Sequence, residues 1–243
     1  MYNPEYYWEK RLSRNFNLRG VGHQAFGQFY NYWLYKRKEV VLSQVLRREN
    51  LHDKIVLDVG TGTGFFIDWY LSREARISGI DISQTAVSKL RKKYPKVHFE
   101  HNDFSSPTYW PGKLYDVINA WDVIYHQVDE EAFIRFLVNV SNGLKEGGLF
   151  ICNDLFNSPS AFSPAPHVRF RPLGMYEQIL SSKGFHVKKI FPLYNFLNRP
   201  FLPDRIPKAG YNILVIPLFL ADYFQRNPSP TNLSVSLWEK RVV

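Results

Sequence analysis

Residues Ile55–Phe66 read IVLDVGTGTGFF, and this stretch decides the fold. Ile55, Val56, Leu57 and Val59 form the short β-branched and apolar run of a strand buried on both faces in a parallel sheet. Gly60, Thr61, Gly62, Thr63 and Gly64 break that run, and an apolar pattern with Asp68 interposed resumes from Phe65 to Leu71. Strand, glycine-rich turn and helix in this order make a nucleotide-type binding turn. Spacing narrows the nucleotide. A dinucleotide fingerprint, G-x-G-x-x-G, needs its third glycine where this chain has Phe65, whereas here the order is G-x-G-x-G with Asp58 two residues ahead of the first glycine.

Strands and helices alternate from Asp53 onward. Ile77–Ile80 reads as a second strand ended by Asp81, twenty-one residues after Gly60, the spacing at which a carboxylate in this architecture accepts from both hydroxyls of a ribose. The other reading of Asp81 is a cap, with Ser83, on the next helix. That helix, Gln84–Lys93, is basic on its outer face and stops before Pro95; Val97–His101 is a third strand, followed by Asn102, Asp103 and Phe104. Tyr115–Ala120 is a fourth strand, and Trp121–His126 leaves its carboxyl end, facing the same crevice as the first turn. Asp129–Leu144 predicts an amphipathic helix with an acidic first turn. Lys145–Gly148 turns into a fifth strand, Leu149–Asp154.

The flanks read differently. Residues 1–50 are expected to form a helical cap, with Tyr30, Trp33, Leu34, Val41, Leu42, Val45 and Leu46 on one stripe and Lys36, Arg37, Lys38, Arg47 and Arg48 outside it. Leu18–Gly27, with three glycines and His23, reads as a loop. Such a cap closes a cofactor cleft or simply covers the sheet. Residues 155–172 are proline- and serine-rich and read as a loop or lid. A helix from about Met175 to Lys183 leads through Gly184 into the strand Phe185–Phe191. Residues 192–232, with seven prolines, read as an insertion before a last strand, Leu233–Lys240.

Two hundred and forty-three residues with 45% hydrophobic and 16% aromatic content suffice for one α/β domain with attachments, and exclude a disordered chain. The single Cys152 excludes an internal disulfide framework and sits in an apolar strand as an inert thiol. No secretory signal or membrane-length apolar run is read, so the expected compartment is the cytoplasm. The net charge of +9 is uneven. Residues 1–50 carry nine basic and four acidic side chains, residues 51–163 eleven and fourteen, and residues 164–243 eleven and four. Basic flanks suit an anionic substrate, a membrane surface contacted peripherally, a nucleic acid, or solubility alone.

Taken together, VLDVGTGTG, GIDIS, the NDF triplet, DVINAWDVIYH and LKEGG, in order and at regular intervals, resemble the class I S-adenosylmethionine-dependent methyltransferases of small-molecule type. The resemblance covers roughly residues 53–191 and the final strand. It implies an α/β fold: a doubly wound, mainly parallel seven-stranded Rossmann-like sheet with its last strand antiparallel. The methyltransferase domain then spans 51–243, with substrate or lid insertions near 155–172 and 192–232. It further implies S-adenosyl-L-methionine as cofactor, held by Asp58, Gly60, Thr61, Gly62, Gly64, Asp81, Ile82, Asp103, Phe104, Ala120 and Trp121. In this family an acidic residue at the position of Asp103 accepts from the adenine amino group, and its neighbour, here Phe104, donates a backbone amide.

Methyl transfer from a sulfonium is an in-line displacement in which positioning and desolvation carry most of the acceleration. A hydroxyl acceptor also needs a base, and histidine has a suitable pKa. The candidates are His126 after the fourth strand, His23 in the glycine-rich loop, and His167 beside Arg169 and Arg171, which could clamp an anionic acceptor. Asp122 either orients His126 or caps a turn. No compact metal-ligand spacing is present, and no metal is expected. The expected function is methylation of a small-molecule or lipid-linked metabolite at oxygen. The alternatives are a nucleic-acid methyltransferase, for which no RNA-binding module or base-reading tetrad is seen, and a non-transfer use of the cofactor.

Overall fold

The computed structural model describes residues 2–198 and 210–241. The central strand β1 (Ile55–Val59) is flanked by β2 (Arg76–Asp81) and β4 (Tyr115–Ala120), with β3 (His98–His101) and β5 (Leu144–Asp154) outside them. All four of these pairings are parallel. β8 (Phe185–Pro192) and β9 (Ser234–Lys240) complete a seven-stranded sheet of order β3-β2-β1-β4-β5-β9-β8, in which β9 runs antiparallel to both neighbours. This is the doubly wound α/β sheet expected from the sequence.

Alternation along β1 assigns its side chains to two cores. Val56 enters the face covered by α3 (Gln28–Val45), α4 (Ile67–Leu71) and α5 (Gln84–Lys93), whereas Leu57 and Val59 enter the face covered by α6 (Glu130–Gly143) and α7 (Leu173–Leu180). Local signals start the helices. Ser83 Oγ accepts from the Ala86 N–H at 3.2 Å to cap α5, and Asp129 Oδ1 accepts from the Ala132 N–H at 2.8 Å to cap α6. Asn3 caps α1 (Pro4–Arg14), with Pro4 in its first turn.

Several local expectations are corrected. The stretch read as a loop opens with a short helix, α2 (Leu18–Val21), because Asn17 Oδ1 accepts from the N–H groups of Arg19 and Gly20. The proline-rich segment 155–172 holds a small hairpin, β6 (Phe162–Ala165) with β7 (Val168–Phe170). Lys145–Gly148 lies within β5 rather than before it. Arg37 and Lys38, read as outside the apolar stripe of the helix, are buried. Arg37 donates from Nε to Leu193 O at 3.0 Å and from Nη2 to Pro192 O at 3.1 Å, so tertiary carbonyls replace its water. Within the 192–232 insertion, α8 (Gly210–Phe224) packs on α3; residues 199–209 of that insertion lie outside the described residues.

Candidate active site

At the carboxyl ends of β1, β2 and β4, the glycine turn opens onto a cleft. Gly60 has φ +69°, and a Cβ there would lie 2.3 Å from Val123 Cγ2; Gly62 has φ +55°, and a Cβ there would lie 2.9 Å from Val21 Cγ1. Both positions need glycine for conformation and for space. Asp81 braces the turn from below. Its Oδ2 accepts from the Gly62 N–H at 2.7 Å and its Oδ1 from the Ser83 N–H at 2.8 Å, which ties the turn to the start of α5, while the residue still lines the cleft. Asp58 is buried beneath the turn and accepts from Asn119 Nδ2 at 2.7 Å. Burial pushes its carboxyl up to about 7, with the Asn119 hydrogen bond opposing and the Asp81 charge adding. Burial also raises Asp81.

The cleft is roofed by the N-terminal segment through Pro4, Trp8, Leu12 and Val21. Glu9 holds this roof down. Its Oε2 accepts from Ser83 Oγ at 2.7 Å and the Thr85 N–H at 3.0 Å, and its Oε1 accepts from Thr85 Oγ1 at 2.5 Å. These donors outweigh burial and keep Glu9 below its ordinary range. Nothing local in the sequence connects Glu9 to the start of α5, 74–76 residues away.

A second cavity adjoins the first and shares the walls Trp8, Val21, Tyr35, Asp122 and His126. His23, His126 and His167 all line it. His126 Nδ1 lies 2.6 Å from His167 O. A carbonyl only accepts, so Nδ1 carries the proton and Nε2 keeps the lone pair. The His126 ring stacks on His167 with centroids 5.7 Å apart and meets Trp8 edge-on at 4.9 Å. Burial pushes His126 down to about 4, partly offset by the His167 carbonyl and the Asp122 charge. His23 and His167 are also lowered, first by burial and then by the Arg11 charge.

Two cations of this cavity were missed in the sequence. Lys38 Nζ donates to Asp122 Oδ2 and sits 3.7 Å above the Tyr35 ring. Asp122, in the left-handed region at φ +57°, also accepts from Asn153 Nδ2 at 2.7 Å and donates its N–H to Asn153 Oδ1 at 2.7 Å. Burial would raise Asp122, but the Lys38 charge and these hydrogen bonds hold it below the usual carboxylate range. Asp122 therefore neither orients His126 nor caps a turn. Arg11 donates to Tyr7 Oη at 3.1 Å and Gly22 O at 2.9 Å and stacks over Trp8 at 4.8 Å. No carboxylate among the described residues pairs with it.

Arg169 and Arg171 are not an acceptor clamp. Glu130 takes both, at 2.5 Å and 3.3 Å, and Arg171 is fully buried over Phe133. Of the residues assigned to the cofactor by resemblance, Asp58, Gly60, Thr61, Gly62, Asp81, Ile82, Asp103, Phe104 and Trp121 line the cleft. Ala120 and Gly64 lie outside its lining. Gly64 instead lets Leu90 of α5 approach, since a Cβ there would come within 2.6 Å of Leu90 Cδ2. Asp103 Oδ1 already accepts from the Ser105 N–H at 2.8 Å and Ser105 Oγ at 2.7 Å. No group of three potential metal ligands gathers among the described residues.

A family model described as a methyltransferase domain matches residues 56–148, from β1 into β5. A probable S-adenosylmethionine-dependent methyltransferase of Mycolicibacterium smegmatis is 28% identical over 170 residues, covering 68% of this chain and 63% of that protein. Over these residues the chain is similar to the class I S-adenosylmethionine-dependent methyltransferases. Two solved structures share the fold of this chain. One is the magnesium protoporphyrin IX methyltransferase of Synechocystis with bound S-adenosylmethionine, at TM-score 0.63 and 16% identity over 100% of this chain and 99% of that one. The other is a putative methyltransferase of Listeria monocytogenes, at TM-score 0.60 and 18% identity over 86% and 98%. A ubiquinone biosynthesis O-methyltransferase of Pseudomonas fluorescens is 27% identical over 119 residues, covering 47% of this chain and 50% of that protein. The chain spans 56–63% of the length of the mycobacterial relatives it matches.

The cleft residues suit the S-adenosyl-L-methionine named for these relatives. The two glycine positions that exclude a Cβ leave backbone at the cleft wall, the buried Asp81 suits ribose hydroxyls, and the buried Asp58 suits a cationic tail. Ile82, Phe104 and Phe136 supply apolar surface for a planar base.

Proposed function

We propose that this methyltransferase methylates a hydroxyl oxygen of a small or lipid-linked metabolite held in the second cavity. The observation that carries the reading is the wall shared by the two cavities, with His126, Trp8, Tyr35 and Asp122 on it. When bound, the cofactor supplies an electrophilic methyl group on a sulfonium. Asp58, Asp81, Asp103 and the Gly60–Gly62 backbone are assigned to hold it. Trp8, Tyr35 and Trp121 exclude water from the shared wall, which strengthens electrostatic interactions within it.

His126 Nε2 is the assigned proton acceptor for the hydroxyl, because Nδ1–H is committed to His167 O and the ring is neutral at physiological pH. His23 and His167, on the same cavity, are the remaining candidates. Arg11, lacking a carboxylate partner among the described residues, offers a positive wall that favours an anionic acceptor. The hydroxyl assignment is supported by the relatives named as ubiquinone biosynthesis O-methyltransferases.

The test supplies methyl-labelled cofactor together with either a small-molecule and lipid extract or total RNA. Label is expected in organic-extractable material as a base-stable ether, and the signal should fall with His126→Gln. Label confined to RNA would overturn the reading, as would transfer to neither pool while calorimetry reports cofactor binding.

A further inference from the structure

Helix α8 is apolar on both sides. Tyr211 and Val215 pack inward on the core, while Ile213, Ile216, Leu220 and Phe224 point outward; Ile213 is 79% exposed and Phe224 74% exposed. The outward residues recur at the spacing of one helical face. The patch continues onto α3, where Trp33 meets Phe219 of α8 at 5.0 Å and touches the exposed Phe29 and Tyr32. A soluble surface rarely leaves such a contiguous apolar and aromatic area uncovered.

Charge and length indicate what covers it. The helix has no Lys, Arg or Glu. Its one carboxylate, Asp222, is fully buried and accepts from the N–H groups of Asn195, Phe196 and Leu197 at 2.9–3.1 Å, so the outward face carries no negative charge. Basic residues flank the helix in sequence: Arg199, Arg205 and Lys208 against Asp204 before it, and the exposed Arg226 after it. At 15 residues, α8 is about 22 Å long, short of the roughly 30 Å hydrocarbon core that a spanning helix must cross. A short helix with an uncharged apolar face, aromatic neighbours and basic flanks has the properties of one that lies in a headgroup region.

We propose that α8, with the Phe29–Trp33 turn of α3, docks this methyltransferase on the surface of an anionic phospholipid bilayer. The helix lies parallel to the surface. The acceptor cavity is close by: Thr231, Asn232 and Leu233, shortly after α8, line it, and Tyr211 packs on Phe26, which touches His23. A lipid-linked acceptor would reach that cavity from the bilayer. The docking itself is independent of methyl transfer, because it is measured without turnover.

The test mixes the full chain with vesicles of phosphatidylcholine alone or with roughly a quarter phosphatidylglycerol, scored by flotation. Binding to the anionic vesicles is expected to exceed binding to the neutral ones by about tenfold at low salt and to weaken as salt rises. Ile213→Glu/Leu220→Glu should lower it by about tenfold or more while S-adenosylhomocysteine binding, read by calorimetry, stays unchanged. If that double variant fails to bind the cofactor product, Phe224→Ser and quenching of Trp33 by brominated lipid, with Trp33→Phe as control, replace it. The proposal is overturned by absence of flotation with anionic vesicles, or by flotation that survives the helix substitutions. A dimer in gel filtration that the substitutions dissolve, with no vesicle capture, would also overturn it, because the face would then be a contact between copies.

Discussion

Asp58 should release a proton when the cofactor binds. Its carboxyl is buried under the glycine turn, accepts one hydrogen bond from Asn119, and is pushed up to about 7 by that burial. An ammonium or sulfonium brought against it favours the charged form and pulls the pKa down. With a starting value near 7, about nine-tenths of the protein holds this proton at pH 6, about half at pH 7 and about one-tenth at pH 8, and complete ionisation on binding releases those fractions. The measurement is calorimetry with S-adenosylmethionine in buffers of different ionisation enthalpy, where the slope of apparent enthalpy counts protons. The same shift predicts a stability effect in the free protein. The folded pKa exceeds the unfolded value of about 3.8, so the folded chain holds a proton that the unfolded chain has lost. Stability contributed by the neutral carboxyl is therefore lost as pH rises from about 4 to 7, by at most about 4 kcal/mol. Asp58→Asn should abolish the proton release, weaken the cofactor, and raise the melting temperature of the free protein at pH 8. A zero slope at pH 6, or undiminished release from Asp58→Asn, would refute the reasoning.

Gly60→Ala forces a side chain into the left-handed region and against Val123, at about 1–2 kcal/mol for the conformation alone; cofactor affinity by calorimetry should fall by about tenfold or more. Lys38→Met strands the buried Asp122 charge and should cost about 3–5 kcal/mol in urea unfolding at pH 7, with Lys38→Met/Asp122→Asn recovering most of the loss. If the double variant is as unstable as the single one, the ion pair is not what matters there. His126→Gln should reduce transfer about a hundredfold or more while leaving cofactor affinity within about twofold. Because His126 is held near 4, the acid limb it contributes to the cofactor-saturated rate should lie below about pH 5 and not near the ordinary histidine value. A limb at about pH 6.5 that vanishes in His126→Gln would contradict the burial argument.

The fold and the cofactor cleft were legible because their signals are local. Each strand end carries its own marker: the alternating glycines after Val59, Asp81 at the end of β2, Asp103 after β3, and Trp121 after β4. Parallel topology alone brings those ends to one crevice, so reading them in order already places them together. The three histidines were legible as candidates for the same reason, each standing in or beside an irregular segment.

The partners of the charged residues depended on tertiary structure. Lys36, Arg37 and Lys38 are indistinguishable by periodicity, yet Lys36 pairs at the surface with Glu39, Arg37 is buried against the carbonyls of Pro192 and Leu193, and Lys38 is buried against Asp122. Arg169 and Arg171 looked free for a substrate, but Glu130 at the start of α6 takes them both, whereas Arg11 faces the second cavity. Burial energies of charge depend on what lies across space, often more than eighty residues away in the chain. Sequence by itself determined the sheet, the glycine turn and most of the residues that line the cleft beside it. Only tertiary structure decided which cations are spent on the fold and which remain for a ligand, because pairing a charge out of water requires a partner that local spacing cannot name.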